Sequence, residues 1–127
     1  MREVCLKTDF GFELLPANRE LAGAEVELIE IERREYRLRD ALASSHASYD
    51  FVLIDCPPAL NMLTVNGLVA ADAVLIPMQC EYYALEGLSD LVETLRKVRA
   101  HLNSKLEIEG LLRTMYNPQS TLTQQVS

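Results

Sequence analysis

Tyr49-Asp50-Phe51-Val52-Leu53-Ile54-Asp55-Cys56-Pro57-Pro58-Ala59-Leu60 runs four apolar residues into one aspartate and then into a proline pair. An apolar run with no polar alternation predicts a strand at 51–54, buried on both faces as in a parallel sheet covered by helices. An acid at the carboxyl end of such a strand lies where open α/β sheets bind ligands. In nucleotide hydrolases that place often holds the carboxylate that organises Mg²⁺ beside a phosphate chain. The alternative reading of Asp55 is a strand-end acid that caps a nearby amide. The phosphate loop that would complete a nucleotide site, Gly-x-x-x-x-Gly-Lys-Ser/Thr, does not occur in the sequence.

Outward from this stretch, helical and strand patterns alternate. Residues 12–15 form a short apolar piece ended by Pro16, read as a strand, and Asn18 is placed to cap a long helix. Leu21, Ala24, Leu28, Ile31, Leu38 and Leu42 then recur at spacings that mark one helix face. Acid–base pairs such as Glu30/Arg34 and Glu35/Arg39 stand four apart on its other faces. A loop at 44–48 leads into the central strand. Residues 61–71 read as a helix, and 73–76 as a second buried strand stopped by Pro77. Leu85, Leu88, Leu91, Val92, Leu95, Val98 and Leu102 stripe a further helix that ends at Asn103-Ser104. A third strand is expected at 106–115, a turn at Asn117-Pro118, and the start of a last helix near Ser120 or Thr121. The alternation implies βαβ units and a parallel sheet. The loops after the three strands would then line one sheet edge, where Asp55, the run Gln79-Cys80-Glu81, and Tyr116-Asn117 would share a crevice.

Composition narrows the classes. The chain has 127 residues, 49% of them hydrophobic and 24% charged, which suits one ordinary domain or part of one. No apolar run approaches the roughly 18 residues of a membrane span, and the N-terminus has no signal-like apolar segment. Cys5, Cys56 and Cys80 are odd in number and widely spaced, which suits reduced thiols in a cytoplasmic protein. A metal site at Cys56 and Cys80 would need further ligands. The formal charge of −7 makes this segment alone a poor DNA-binding surface, and its basic clusters read as solvated helix faces.

Several stretches together resemble one family. Leu14-Leu15-Pro16-Ala17-Asn18-x-x-Leu21-Ala22-Gly23-Ala24-Glu25 is similar to the segment before the central strand of the ParA partition ATPases, which carry a deviant phosphate loop. Asp50-Phe51-Val52-Leu53-Ile54-Asp55-Cys56-Pro57-Pro58 resembles their Walker-B-like motif. Residues 71–88, with Gln79-Cys80-Glu81-Tyr82-Tyr83-Ala84-Leu85-Glu86-Gly87, resemble the family's next strand, loop and helix. Thr114-Met115-Tyr116 resembles a further strand of that family, and Leu122-x-x-Gln125-Val126 the helix after it. The family's Lys-Gly-Gly-x-Gly-Lys-Thr loop is not in the sequence, and Asn117 stands where Asp is often expected.

The resemblance implies a three-layer α/β fold of the phosphate-loop NTPase type, a mostly parallel sheet with helices on both faces, incomplete here. Residues 1–127 are expected to be a partial nucleotide-hydrolase domain, the middle portion of a longer protein. It further implies ATP and Mg²⁺ as cofactors, a homodimer formed on ATP binding, a ParB-like centromere-binding partner, non-specific DNA binding mostly through other regions, and no membrane. Asp55 would hold Mg²⁺ through water and act in catalysis. Cys56, Pro57 and Pro58 would form a phosphate-responsive loop, or merely a rigid turn. Gln79 and Glu81 would contact nucleotide or dimer partner, or only solvent; Met115 and Asn117 would lie near the base. The fragment alone is expected to be inactive. The alternatives are a MinD-like division-site regulator and a non-enzymatic module that binds a protein partner.

Overall fold

The computed structural model describes residues 5–44, 49–57, 60–79 and 82–114. They fall into two units, Met1–Ala70 and Ala71–Ser127.

In the first unit β1 (Leu6–Lys7) and β2 (Glu13–Leu14) pair antiparallel, Leu6 opposite Leu14. The turn between them places Gly11 at φ 86°, a region open to glycine, and the Thr8 hydroxyl donates to the Phe12 carbonyl at 2.7 Å. The strand expected at 12–15 is thus reduced to two residues of a ribbon. Asn18 begins the following turn, its Oδ1 accepting from the Glu20 amide at 2.9 Å, and α1 spans Leu21–Leu28.

The single long helix expected from the apolar spacing is not formed. The chain breaks after α1, passes through Arg33 at φ 57°, makes a 3₁₀ turn at Arg34–Tyr36, and resumes as α2 (Arg37–Ser44). No glycine or proline marks the break; partners from elsewhere hold it. The Arg34 guanidinium donates to the Ile29 carbonyl at the end of α1 (2.8 Å). From helix α3 (Met62–Ala70), Asn66 Nδ2 donates to the Arg34 carbonyl (2.9 Å), while Asn66 Oδ1 accepts from the Leu38 amide in the first turn of α2 (3.2 Å). A helix break leaves carbonyls on one side and amides on the other without partners, and these bonds meet both needs. A non-glycine residue in the left-handed region costs about 1–2 kcal/mol. Each satisfied hydrogen bond returns about 0.5–1.5 kcal/mol, so the Arg34 and Asn66 contacts together outweigh it. The exposed Arg33–Asp40 pair at 3.4 Å adds little.

Helix α3 is well specified at its start. Asn61 Oδ1 accepts from the Thr64 amide at 3.0 Å, the ordinary N-cap bond, and Glu25 of α1 accepts from the Met62 amide at 3.2 Å. Its Thr64, Asn66, Gly67, Leu68 and Val69 are buried.

The strand expected at 51–54 is also corrected. Residues 51–57 join no ladder, and Phe51 and Leu53 stand 87% and 93% exposed. A strand exists only where a neighbour accepts its hydrogen bonds, and among the described residues no strand pairs with this run.

The second unit is a parallel β–α–β unit: β3 (Ala73–Gln79), α4 (Tyr82–His101) and β4 (Glu107–Thr114). Ala73 pairs with Glu107 and Gln79 with Thr114, with an irregularity between Val74 and Leu75. Pro77 does not end β3; it pairs opposite Leu112 within the ladder. A proline is tolerated in a strand with an unpaired edge, and among the described residues β3 has no partner on its other side. Ile76 and Met78 of β3, Leu95 and Val98 of α4, and Leu106 are buried. Full burial of such a side chain contributes about 1.5–3 kcal/mol. Asn103 closes the unit by donating from Nδ2 to the Ala71 carbonyl at 2.8 Å. The α/β class and the parallel pairing expected from the alternating pattern are both present.

Candidate functional site

Asp55 and Cys56 are positioned by α3. At Gly67 a methyl group would stand 3.0 Å from Cys56 Sγ and 3.5 Å from Ile54 Cγ2. The missing side chain therefore lets the segment that carries Asp55 lie directly on the helix. Ile54 and Cys56 anchor that segment on Gly67, and Asp55 stands between them.

The Asp55 residue is exposed, and among the described residues no group hydrogen-bonds to or pairs with its carboxylate. In particular no described amide is capped by it. Cys56 is exposed as a residue, but its sulfur lies over Gly67 and 3.9 Å from the Ile54 carbonyl. That burial pushes the thiol above its ordinary value of 9.0, and the adjacent Asp55 charge pushes the same way. Cys56 is thus a neutral thiol near neutral pH.

Among the described residues no three His, Cys, Asp or Glu side chains gather as a metal cage. A lone exposed carboxylate is instead the hard oxygen donor that suits Mg²⁺, which keeps several waters and takes one or two carboxylates with substrate phosphates. The donor set at Asp55 fits that ion in this manner.

Of the other sequence candidates, Pro57 follows Cys56 in the same exposed segment. Gln79 is the last residue of β3, level with Thr114 at the end of β4. Pro58, Cys80, Glu81, Met115, Tyr116, Asn117 and the turn and helix expected after them lie outside the described residues. Sequence reading passed over Asn66 and Gly67. Their signal was present: an isolated glycine inside a helical pattern marks a close approach, and an amide among apolar residues marks a buried bond.

Residues 1–108 match the family model described as AAA domain. An uncharacterized protein of Pseudomonas putida (strain KT2440) is 62% identical over 117 residues, which is 92% of this chain and 44% of its own length. The chromosome partitioning protein ParA of Caulobacter vibrioides is 50% identical over 128 residues, 98% of this chain and 48% of its own. The crystal structure of cobyrinic acid a,c-diamide synthase from Mycobacterium smegmatis with bound ADP and magnesium superposes with a TM-score of 0.92 at 42% identity, covering 98% of this chain and 51% of that one. The chain spans about half the length of the curated relatives it matches. No helix among the described residues is long and apolar enough to cross a membrane.

Proposed function

The chain belongs to the AAA-domain family, among its ParA relatives, and on that premise we propose that it supplies the central part of an ATP-driven partition protein. Residues 1–127 are then one partial nucleotide-hydrolase domain. Magnesium bound with ATP supplies the positive charge that phosphoryl transfer needs. Asp55 holds that ion through water. Cys56, Pro57 and Pro58 form the loop whose position responds to the phosphates. Gln79 and Glu81 contact nucleotide or a second subunit, and Met115 and Asn117 lie beside the base. ATP binding joins two subunits, the dimer binds DNA without sequence preference, and a ParB-like partner stimulates hydrolysis. The protein works in the cytoplasm.

One observation carries this reading: 50% identity to ParA of Caulobacter vibrioides over nearly the whole chain. The Mycobacterium smegmatis relative is named for a different reaction, but its bound ADP and magnesium support the nucleotide and the metal.

The test is a chimera in which residues 1–127 replace the matching segment of that ParA, whose remaining residues supply the phosphate loop. DNA-stimulated ATP hydrolysis is expected, and Asp55→Ala should reduce it by about 10–100-fold, the usual penalty for losing a group that acts on a metal through its outer shell. A folded chimera with no hydrolysis would replace the ATPase reading with that of a protein-binding module.

A further inference from the structure

We propose that Asn66 is the latch of a two-state helix, loaded from the Asp55–Cys56 segment through Gly67. Latched, the chain breaks at Arg33; released, the residues between α1 and α2 close into one continuous helix.

Three observations meet here. First, the sequence from Ala24 to Leu42 contains no glycine or proline and keeps one apolar face, so it carries a continuous helix as its own local preference. Second, the break contradicts that preference at a left-handed arginine, and the two long-range bonds to the backbone on its α2 side come from one buried side chain. Asn66 is 5% exposed and reaches both the Arg34 carbonyl and the Leu38 amide. Third, the adjacent residue is Gly67, where Cys56 and Ile54 rest at contact distance. Displacing α3 at Gly67 displaces Asn66 with it, because one helical turn carries both.

The left-handed residue is the kind of stored strain that persists only while its surroundings impose it. The latch supplies the discrete alternative that coupling between two places requires. Its link to nucleotide rests on the proposed magnesium role of Asp55. The latch itself does not, and its tests need no nucleotide, so either idea can fail alone.

Asn66→Ala in the full chain is the first test. The expected result is a stronger helical circular-dichroism signal at 222 nm, with new hydrogen-exchange protection at Glu32, Arg33 and Arg34. A signal that is unchanged or weaker, with no new protection, would overturn the proposal and leave Asn66 a plain buried amide. A second test keeps the latch falsifiable should that variant not fold. In a chain with Cys5 and Cys80 replaced by serine, Cys56 is converted to its methyl disulfide with methyl methanethiosulfonate. The Glu32, Arg33 and Arg34 amides should then exchange about three- to tenfold more slowly, the factor for one hydrogen bond gained, while β3 and β4 amides stay unchanged. Unchanged exchange at Glu32, Arg33 and Arg34 at full modification would sever the link between Cys56 and the break.

Discussion

Gly67→Ala separates the packing at the candidate site from ordinary helix preference. Alanine in a helix interior is favoured over glycine by about 0.8–1.0 kcal/mol, so with nothing nearby the change would stabilise the chain. Here the new methyl would stand 3.0 Å from Cys56 Sγ, inside the roughly 3.5–4.0 Å at which such atoms normally rest. Forcing one extra carbon into a filled contact costs about 1–3 kcal/mol, so the net expectation is a loss of about 0–2 kcal/mol. Cys56→Ala removes the offending sulfur and leaves the Ile54 contact at an ordinary 3.5 Å. In that background Gly67→Ala should stabilise, and the cycle should give a coupling of about 1–3 kcal/mol, the size of the removed clash. The assay is urea unfolding followed by circular dichroism, with midpoint and slope both fitted. If Gly67→Ala alone stabilises by the full helix-propensity amount, the Asp55 segment does not rest on α3.

The Cys56 thiol should react with iodoacetamide more slowly in the folded chain than in urea, with its half-maximal rate at a pH above 9.0. Its folded value lies above the unfolded one, so its contribution to stability is complete below the unfolded value and is lost as pH rises through the folded value; urea midpoints should fall on that alkaline side, and fall less in Cys56→Ala. Asn103→Ala removes the donor to the Ala71 carbonyl and should cost about 1–3 kcal/mol in urea unfolding, a change within about 0.5 kcal/mol showing that this bond does not close the second unit. Leu95→Ala opens a cavity at a buried position of α4 and should cost about 2–5 kcal/mol by the same assay.

The stripe from Leu88 to Leu102 and the run from Ala73 were legible because burial on one helix face or in one strand is written in local periodicity. Their parallel pairing followed from the helix between them. The run at 51–54 was legible as apolar but not as unpaired, because a strand depends on a neighbour that its own residues do not encode. The break at Arg33 was hidden for the same reason: its cause is Asn66, distant in sequence. Asp55 stood out from its place after an apolar run, whereas the surface that positions it, Gly67, acts by lacking a side chain.

The central claim is that Asp55 serves a magnesium-bound nucleotide. Magnesium titration of ATP hydrolysis by the chimera, with Asp55 and with Asp55→Asn, tests it most directly. Asparagine keeps the shape and removes the charge, so the half-saturating Mg²⁺ concentration should rise by about 10–100-fold. Superimposable magnesium curves for the two proteins would contradict the assignment of Asp55 to the metal.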